Sequence, residues 1–269
     1  MPEQQIIKNG ELISKEQACI SVFNKALFFD FCVYSNIKVV QGRMFLPDLE
    51  VEKLFESAQA IGLKHRLNKD EVVQWADKLI KANDLQDALI RILLIGPEQG
   101  SEAQLFLFAV GLTFYPDKFY GQGVKLVSFQ GERYLPQVKS KNLLMSYIAY
   151  QHAVKNEALD ALLIDGQGNI REGTRSSFFA IKDQVLIVPP KEKTLEGITK
   201  KIILEIATEI MEIKEEEIPF KDIQNYDECF ITATTMKIMP VVQIDDIVIG
   251  DGVGEKTKEL IGLYRQVGK

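Results

Sequence analysis

Residues 138–144 read VKSKNLL. Two lysines, Lys139 and Lys141, stand two apart at the entry to an apolar stretch. A lysine is by default a solvated charge on a flexible stem. To attack a carbonyl it must be unprotonated, which burial or a neighbouring cation brings about. What the chain supplies on either side decides between surface charge and chemistry, and decides the fold with it.

Downstream, LLMSYIAYQHAVKN reads as a helix, and ALDALLIDGQGNIREG as a hairpin about a Gly-Gln-Gly turn. SFFAIKDQVLIVPP reads as a second hairpin. GITKKIILEIATEIMEI is expected to be one long helix, with Ile198, Ile202, Ile203, Ile206, Ala207 and Ile210 on its apolar face. ECFITATT reads as a strand and KTKELIGLYRQV as a closing helix.

Upstream, ACISVF and VYSNIKVVQG have strand composition, with Gly42 turning the second. LEVEKLFESAQAIGL has helical spacing and stops at Gly62. Asn68 is placed to cap a second helix, KDEVVQWADKLIKAN. ALIRILLIG and AQLFLFAVGL read as strands joined by a GPEQG turn, and FYPDKFYGQG as a loop. A domain boundary is expected in that loop, giving an N-terminal α+β domain over 1–117 and a C-terminal α+β domain over 118–269. Strands and helices mix without βαβ alternation, so the class is α+β.

The chain has 269 residues, 46 % hydrophobic and 26 % charged, with a net charge of −6. That balance favours neither nucleic acid nor an anionic membrane as partner. No apolar run is long enough to span a bilayer, and the start MPEQQIIKNGELISKEQ lacks the apolar core of a signal peptide. Cys19, Cys32 and Cys229 lie far apart with no CxxC, which fits a reducing cytoplasm and argues against a disulfide framework or a zinc site. The two histidines, His65 and His152, give a catalytic triad or metal centre little material, so no metal is expected. His65, within KHR, is expected to face solvent.

Three further places offer chemistry. In TLEGITKK, Gly197 precedes a helix whose free N–H groups at Ile198 and Thr199 form an anion pocket. A turn glycine and a capping threonine would read the same. The threonines of ITATT, 231–235, can complete a phosphate cup, or simply favour a strand. In IREGTRSSFF, Glu172 could keep a pyridine nitrogen protonated, or be a solvated turn residue. A lysine, a carboxylate, a helix-start anion nest and a hydroxyl-rich loop together are the parts of a pyridoxal 5'-phosphate site.

Their order resembles the class IV (fold type IV) pyridoxal-phosphate aminotransferases, a family that includes branched-chain and D-amino-acid aminotransferases and aminodeoxychorismate lyase. The matching stretches are VKSKNLL (138–144), REGTRSS (171–177), LEGITKK (195–201) and TATTMKIMPV (232–241). The resemblance implies the D-amino-acid-aminotransferase-like fold of two α+β domains, a homodimer, and pyridoxal phosphate as cofactor. It makes Lys139 the Schiff-base lysine and leaves Lys141 outside the pattern. By the same resemblance Glu172 pairs with the pyridine nitrogen and Leu195 packs on the ring. Gly197, Ile198, Thr199 and Thr234 would hold the phosphate.

The N-terminal half departs from the pattern. The family's Phe/Tyr-Glu pair appears as Tyr34-Ser35, so the substrate-side aromatic stays and the glutamate is lost. The phosphate-binding arginine of its HxxRL pattern appears as Lys53 in EVEKL, which supplies charge without a bidentate fork. The strand-end Arg-Gly appears as Ile95-Gly96, and Arg175 stands where serine is common, as a contact to a substrate anion or as a surface residue. The implied activity is transamination between amino acids and 2-oxo acids, of branched-chain or D-amino-acid type. A lyase releasing pyruvate and 4-aminobenzoate, and a non-catalytic cofactor-fold protein, are the alternatives.

Overall fold

The computed structural model describes residues 4–98 and 101–267. The chain forms two compact units, one of residues up to Thr113 together with Val138–Asn142, the other of Phe114–Gln137 and Leu143 onward. Among the described residues no helix is long and apolar enough to cross a membrane.

The first unit holds strands β1 (Gln5–Lys8) and β2 (Glu11–Ser14), a short helix α1 (Lys25–Phe28), and β3 (Cys32–Val40) and β4 (Arg43–Phe45). Helices α2 (Pro47–Ala60) and α3 (Lys69–Ala82) and strands β5 (Ala88–Ile95) and β6 (Gln104–Gly111) complete it. The six strands form an antiparallel sheet in the order β2-β1-β6-β5-β3-β4. Side chains alternate across a strand, so Val33, Ser35, Ile37 and Val39 of β3 are the buried set. Their apolar members join Val51, Leu54 and Ala58 of α2 and Val72, Ala76 and Leu79 of α3 in one core. Ser35 is the polar member of that set. The β3–β4 turn uses positive φ at Gln41 and Gly42, and Asn68 caps α3 by accepting from the Asp70 N–H. Val138–Asn142 lies beside β3: Val33 bridges Ser140, and Tyr34 N–H donates to the Lys139 carbonyl at 3.0 Å.

The second unit begins with α4 (Asp117–Gln122), β7 (Val124–Gln130) and α5 (Leu144–Lys155). Strands β8 (Asp160–Ile164), β9 (Ile170–Gly173), β10 (Ser177–Lys182) and β11 (Val185–Val188) follow, then α6 (Ile198–Ala207). β12 (Glu212–Glu215), β13 (Glu228–Ala233), β14 (Lys237–Ile244), β15 (Ile247–Val248) and α7 (Glu255–Tyr264) end it. The sheet runs β12-β11-β10-β13-β14-β7-β8-β9, and β9 pairs back onto β10, closing a barrel. Leu126, Leu162, Ile164, Phe178, Ile231 and Met239 share its core. Next to Phe178, Phe179 stacks on its cross-strand partner Phe230 with centroids 4.7 Å apart. Both rings are fully buried. Replacing Phe230 with alanine is expected to cost about 3–5 kcal/mol of stability, read as a lowered denaturant midpoint with an unchanged slope.

Several local expectations change. ACISVF forms no strand: residues 18–23 pair with neither edge of the sheet, and Asn24 caps α1 instead. FYPDKFYGQG contains α4 rather than only a loop. The helix opened by Gly197 ends at Ala207, and 212–215 pairs in parallel with β11, because EIKE satisfies its backbone better in that ladder. His65 is half-buried, its ring 4.4 Å from that of Phe55. The GPEQG turn lies partly outside the described residues, at Gln99 and Gly100.

Candidate active site

In the first unit Lys139 is half-buried, its Nζ 5.2 Å from the centre of the Tyr34 ring. Lys141 Nζ lies 5.6 Å from the same ring. Both amines are within reach of the ring quadrupole. The Lys139 backbone is fixed from two sides, since its N–H donates to Ser57 Oγ at 3.2 Å and its carbonyl accepts from Tyr34. Ser57 also donates to the Lys53 carbonyl at 2.8 Å, which ties α2 to the same segment. The Lys53 amine is mostly covered and pairs with Glu56 at 3.3 Å. Ser35 donates to Glu50 Oε2 at 2.5 Å, and Glu50 is 6 % exposed. Burial pushes the Glu50 carboxyl up, against the charge of Lys139 and hydrogen bonds from Ser35 and the Asn36 N–H.

In the second unit Glu172 is buried, not a solvated turn residue. Arg133 Nη1 lies 3.3 Å from its Oε1, and the Leu195 N–H donates to its Oε2 at 3.3 Å. Burial raises its pKa, opposed by Arg133, by the Leu195 N–H and by Lys200. Lys200 is itself buried, bonded to Thr194 Oγ1 at 3.0 Å and Glu196 Oε1 at 2.6 Å. The strand register sets a row across the barrel: Ser177 stands opposite Glu172 on one side and Thr232 on the other. The start of α6 lies over that row, since a Cβ on Gly197 would come 3.9 Å from Ser177 Oγ. Gly197 caps α6 with no side-chain hydrogen bond, and Ile198 and Thr199 open its first turn. Thr199 hydrogen-bonds with the Tyr264 hydroxyl. Thr234 sits in the β13–β14 turn beside Thr235, which hydrogen-bonds with Tyr115.

Asp160, fully buried, fixes the loop that carries Arg175. It accepts from Thr174 Oγ1 at 2.5 Å, Ser176 Oγ at 2.9 Å and the Ala161 N–H at 2.9 Å. A side chain at Gly173 would collide with Ser176 Oγ and come within 2.7 Å of Asp160 Oδ2, so the glycine of the Glu-Gly pair is sterically required. Between the two anchored hydroxyls Arg175 turns outward, its guanidinium 4.7 Å from the Tyr150 ring centre.

The structure thus brings Lys139 together with Tyr34 in one unit, and Glu172 with Leu195 in the other. Gly197 joins the second group through Ser177, whereas Arg175 belongs to a separate cluster with Tyr150 and Tyr115. Sequence reasoning passed over Glu50, Arg133 and Lys200, while Thr232 was among the threonines of ITATT. Lone charges carry no period. The one available sign was the acidic residue opening EVEKL, where the matched pattern has histidine.

These residues fit pyridoxal phosphate. Thr232 Oγ1 is buried without a hydrogen-bond partner among the described residues. The α6 start offers backbone N–H groups uncapped by any side chain. A carboxylate has about four acceptor sites, so Glu172 keeps capacity for a ring N–H beyond Arg133 and Leu195.

Comparison with known proteins agrees. The family model for amino-transferase class IV matches residues 33–244. A Methanocaldococcus jannaschii protein named provisionally as a branched-chain-amino-acid aminotransferase is 29% identical over 98% of this chain and 96% of its own length. A Staphylococcus aureus D-alanine aminotransferase is 30% identical over 96% of this chain and 95% of its own. The crystal structure of the Escherichia coli branched-chain amino acid aminotransferase superposes with a TM-score of 0.90 at 25% identity, covering 98% of this chain and 94% of that one. Family match, fold and cofactor-fitting residues converge, and the chain belongs to the class IV aminotransferases, pyridoxal-phosphate enzymes acting on amino acids and 2-oxo acids.

Proposed function

We propose that the protein transfers the amino group between branched-chain L-amino acids and a 2-oxo acid, with Lys139 as the lysine that bonds the cofactor aldehyde. The observation that carries the reading is the setting of Lys139 within KSKNLL, backbone-fixed by Tyr34 and Ser57, with its amine over an aromatic ring. Pyridoxal phosphate, when bound, supplies the electron sink that makes the substrate α-carbon acidic. Lys139 Nζ takes that proton and later returns it. Glu172 accepts from the ring nitrogen, and Leu195 covers the ring. Gly197, Ile198, Thr199 and Thr234 bind the phosphate, with Lys53 adding a cation. Tyr34 lines the substrate side.

The branched-chain assignment is supported by the names of the archaeal relative and the E. coli structure. D-alanine transamination is the second reading, favoured by the staphylococcal relative. The test offers L-leucine, L-isoleucine, L-valine and D-alanine separately with 2-oxoglutarate, and aminodeoxychorismate alone. Turnover of the branched L-amino acids is expected. Preference for D-alanine would replace this reading with the second. Pyruvate and 4-aminobenzoate from aminodeoxychorismate would make the protein a lyase, and failure to bind cofactor would make it non-catalytic.

Arg175 is assigned to the substrate carboxylate, as an exposed guanidinium carried on a loop pinned by Asp160. Arg175→Ala is expected to raise the amino acid KM by about tenfold and leave kcat within about twofold. An unchanged KM in steady-state kinetics would make Arg175 a surface residue.

A homodimer accounts for Val22, Phe23, Phe28 and Phe29, which are 72–82 % exposed. The unpaired cysteines, two of them buried, suit the cytoplasm.

A further inference from the structure

Helix α2 carries four acidic residues, Asp48, Glu50, Glu52 and Glu56, and the fold buries Glu50 alone among them. A buried carboxylate is costly unless hydrogen bonds and charge compensate it. The compensation comes from two places, the outer edge of β3 and the segment beside it.

Along that edge, Tyr34 N–H is taken by the Lys139 carbonyl, and Asn36 N–H, two residues on, is taken by the Glu50 carboxylate. Two residues of strand span about 6.6 Å, so Glu50 and Lys139 are successive occupants of one edge. Ser35, between them, donates its hydroxyl to Glu50 Oε2 at 2.5 Å. Ser35 belongs to the buried alternation of β3, where an aliphatic residue would pack against α2 but take one hydrogen bond from the carboxylate. Ser57, on the same helix, accepts from the Lys139 N–H. One helix thus holds the Lys139 segment by its backbone and sets a carboxylate beside it.

We infer that Glu50 is a positioning residue for Lys139, its carboxylate holding the charge of that side chain at the β3 edge and supplying from the helix the carboxylate that position 35 lacks. The inference rests on the reading of Lys139 as the cofactor lysine. Glu50 touches neither substrate nor cofactor in this account; it acts through Lys139. The groups facing it are Lys139 from residues 138–142, and Ser35 and the Asn36 N–H from β3. On its own helix, Lys53 is paired with Glu56. Lys139 charge favours ionised Glu50, and burial disfavours it. Removing the Lys139 charge is therefore read at the Glu50 carboxyl.

The first measurement uses cofactor-free protein labelled with carboxyl-13C glutamate. The Glu50 resonance, identified by its absence in Glu50→Gln, should titrate at higher pH in Lys139→Ala than in the wild type. An unchanged midpoint overturns the inference. The second uses the holoenzyme. Glu50→Gln should shift the pH-dependent change of the visible cofactor band to lower pH. It should also lower kcat by about tenfold with the amino acid KM within about twofold, and Glu50→Asp should recover part of both. Ser35→Ala, which deletes one hydroxyl, should move the band in the same direction if the glutamine variant folds poorly. A band with unmoved midpoint in both variants overturns the inference. A wild type with no visible band would defeat the reading of Lys139 as the cofactor lysine, and the carboxyl titration would still decide the Glu50–Lys139 coupling.

Discussion

Replacing Lys139 with alanine is expected to lower the transamination rate by at least about 10⁴-fold, because one group then fails both as the covalent anchor and as the proton carrier. The fold should survive. The two hydrogen bonds that hold residue 139 use its backbone N–H and carbonyl, which alanine keeps. The loss is therefore chemical, and unchanged denaturant midpoints would show it. Lys141 shares the Tyr34 ring but donates its own backbone N–H to the Cys32 carbonyl, outside the pattern the family fixes. Lys141→Ala should keep the visible cofactor band that Lys139→Ala loses. A retained band in Lys139→Ala would remove Lys139 from the chemistry.

Glu172→Gln carries the second large effect. Without a carboxylate the ring nitrogen loses the partner that keeps its proton, and kcat should fall on the order of 10²-fold. The same change alters how stability depends on pH. Burial raises the folded-state pKa of Glu172 above its unfolded value. Between those two values the folded chain holds more proton than the unfolded chain. Stability therefore falls as pH rises from the ordinary carboxylate range through the raised pKa, and stays lower above it. Glutamine cannot titrate, so its contribution to that slope disappears. Glu50 and Asp160 are raised by burial too, so the slope is reduced rather than abolished. Urea midpoints of cofactor-free wild type and variant, measured across the carboxylate range, check the sign. A slope unaffected by Glu172→Gln would mean the carboxylate is already solvated in the folded state.

What the sequence conveyed, and what it withheld, follows from how local each cause is. Helices α2 and α3 were readable because their apolar spacing has the helical period and Asn68 stands at a cap. The β10–β11 hairpin was readable from its alternation, although its Asp183-Gln184 turn takes two positive φ angles without glycine. Barrel closure was not readable, since it depends on Ser177 meeting Glu172, a pairing no local pattern encodes. Residues 18–23 have strand composition but pair with no strand. The run after Ala207 has a stripe compatible with helix, and only the adjacent β11 edge makes it a strand. Among site residues, Gly173 and Gly197 stand out in sequence because sterics or a helix start demand them. Arg133, Lys200 and Glu50 gain their buried contacts only from the fold, and any surface could display the same letters.

The placement of Val138–Asn142 has a consequence for how the protein is made. The first unit is discontinuous in the chain: Phe114–Gln137 belongs to the second unit and interrupts it. During synthesis the ribosome has delivered the whole six-stranded sheet well before it delivers residue 142. Until then Tyr34 N–H on the β3 edge has no partner, Ser57 Oγ has no N–H to accept, and Glu50 has no cation beside it. An unpaired edge of that kind is where nascent chains meet each other. The segment that carries Lys139 is thus also the last piece to close its unit, arriving late at a strand edge already made.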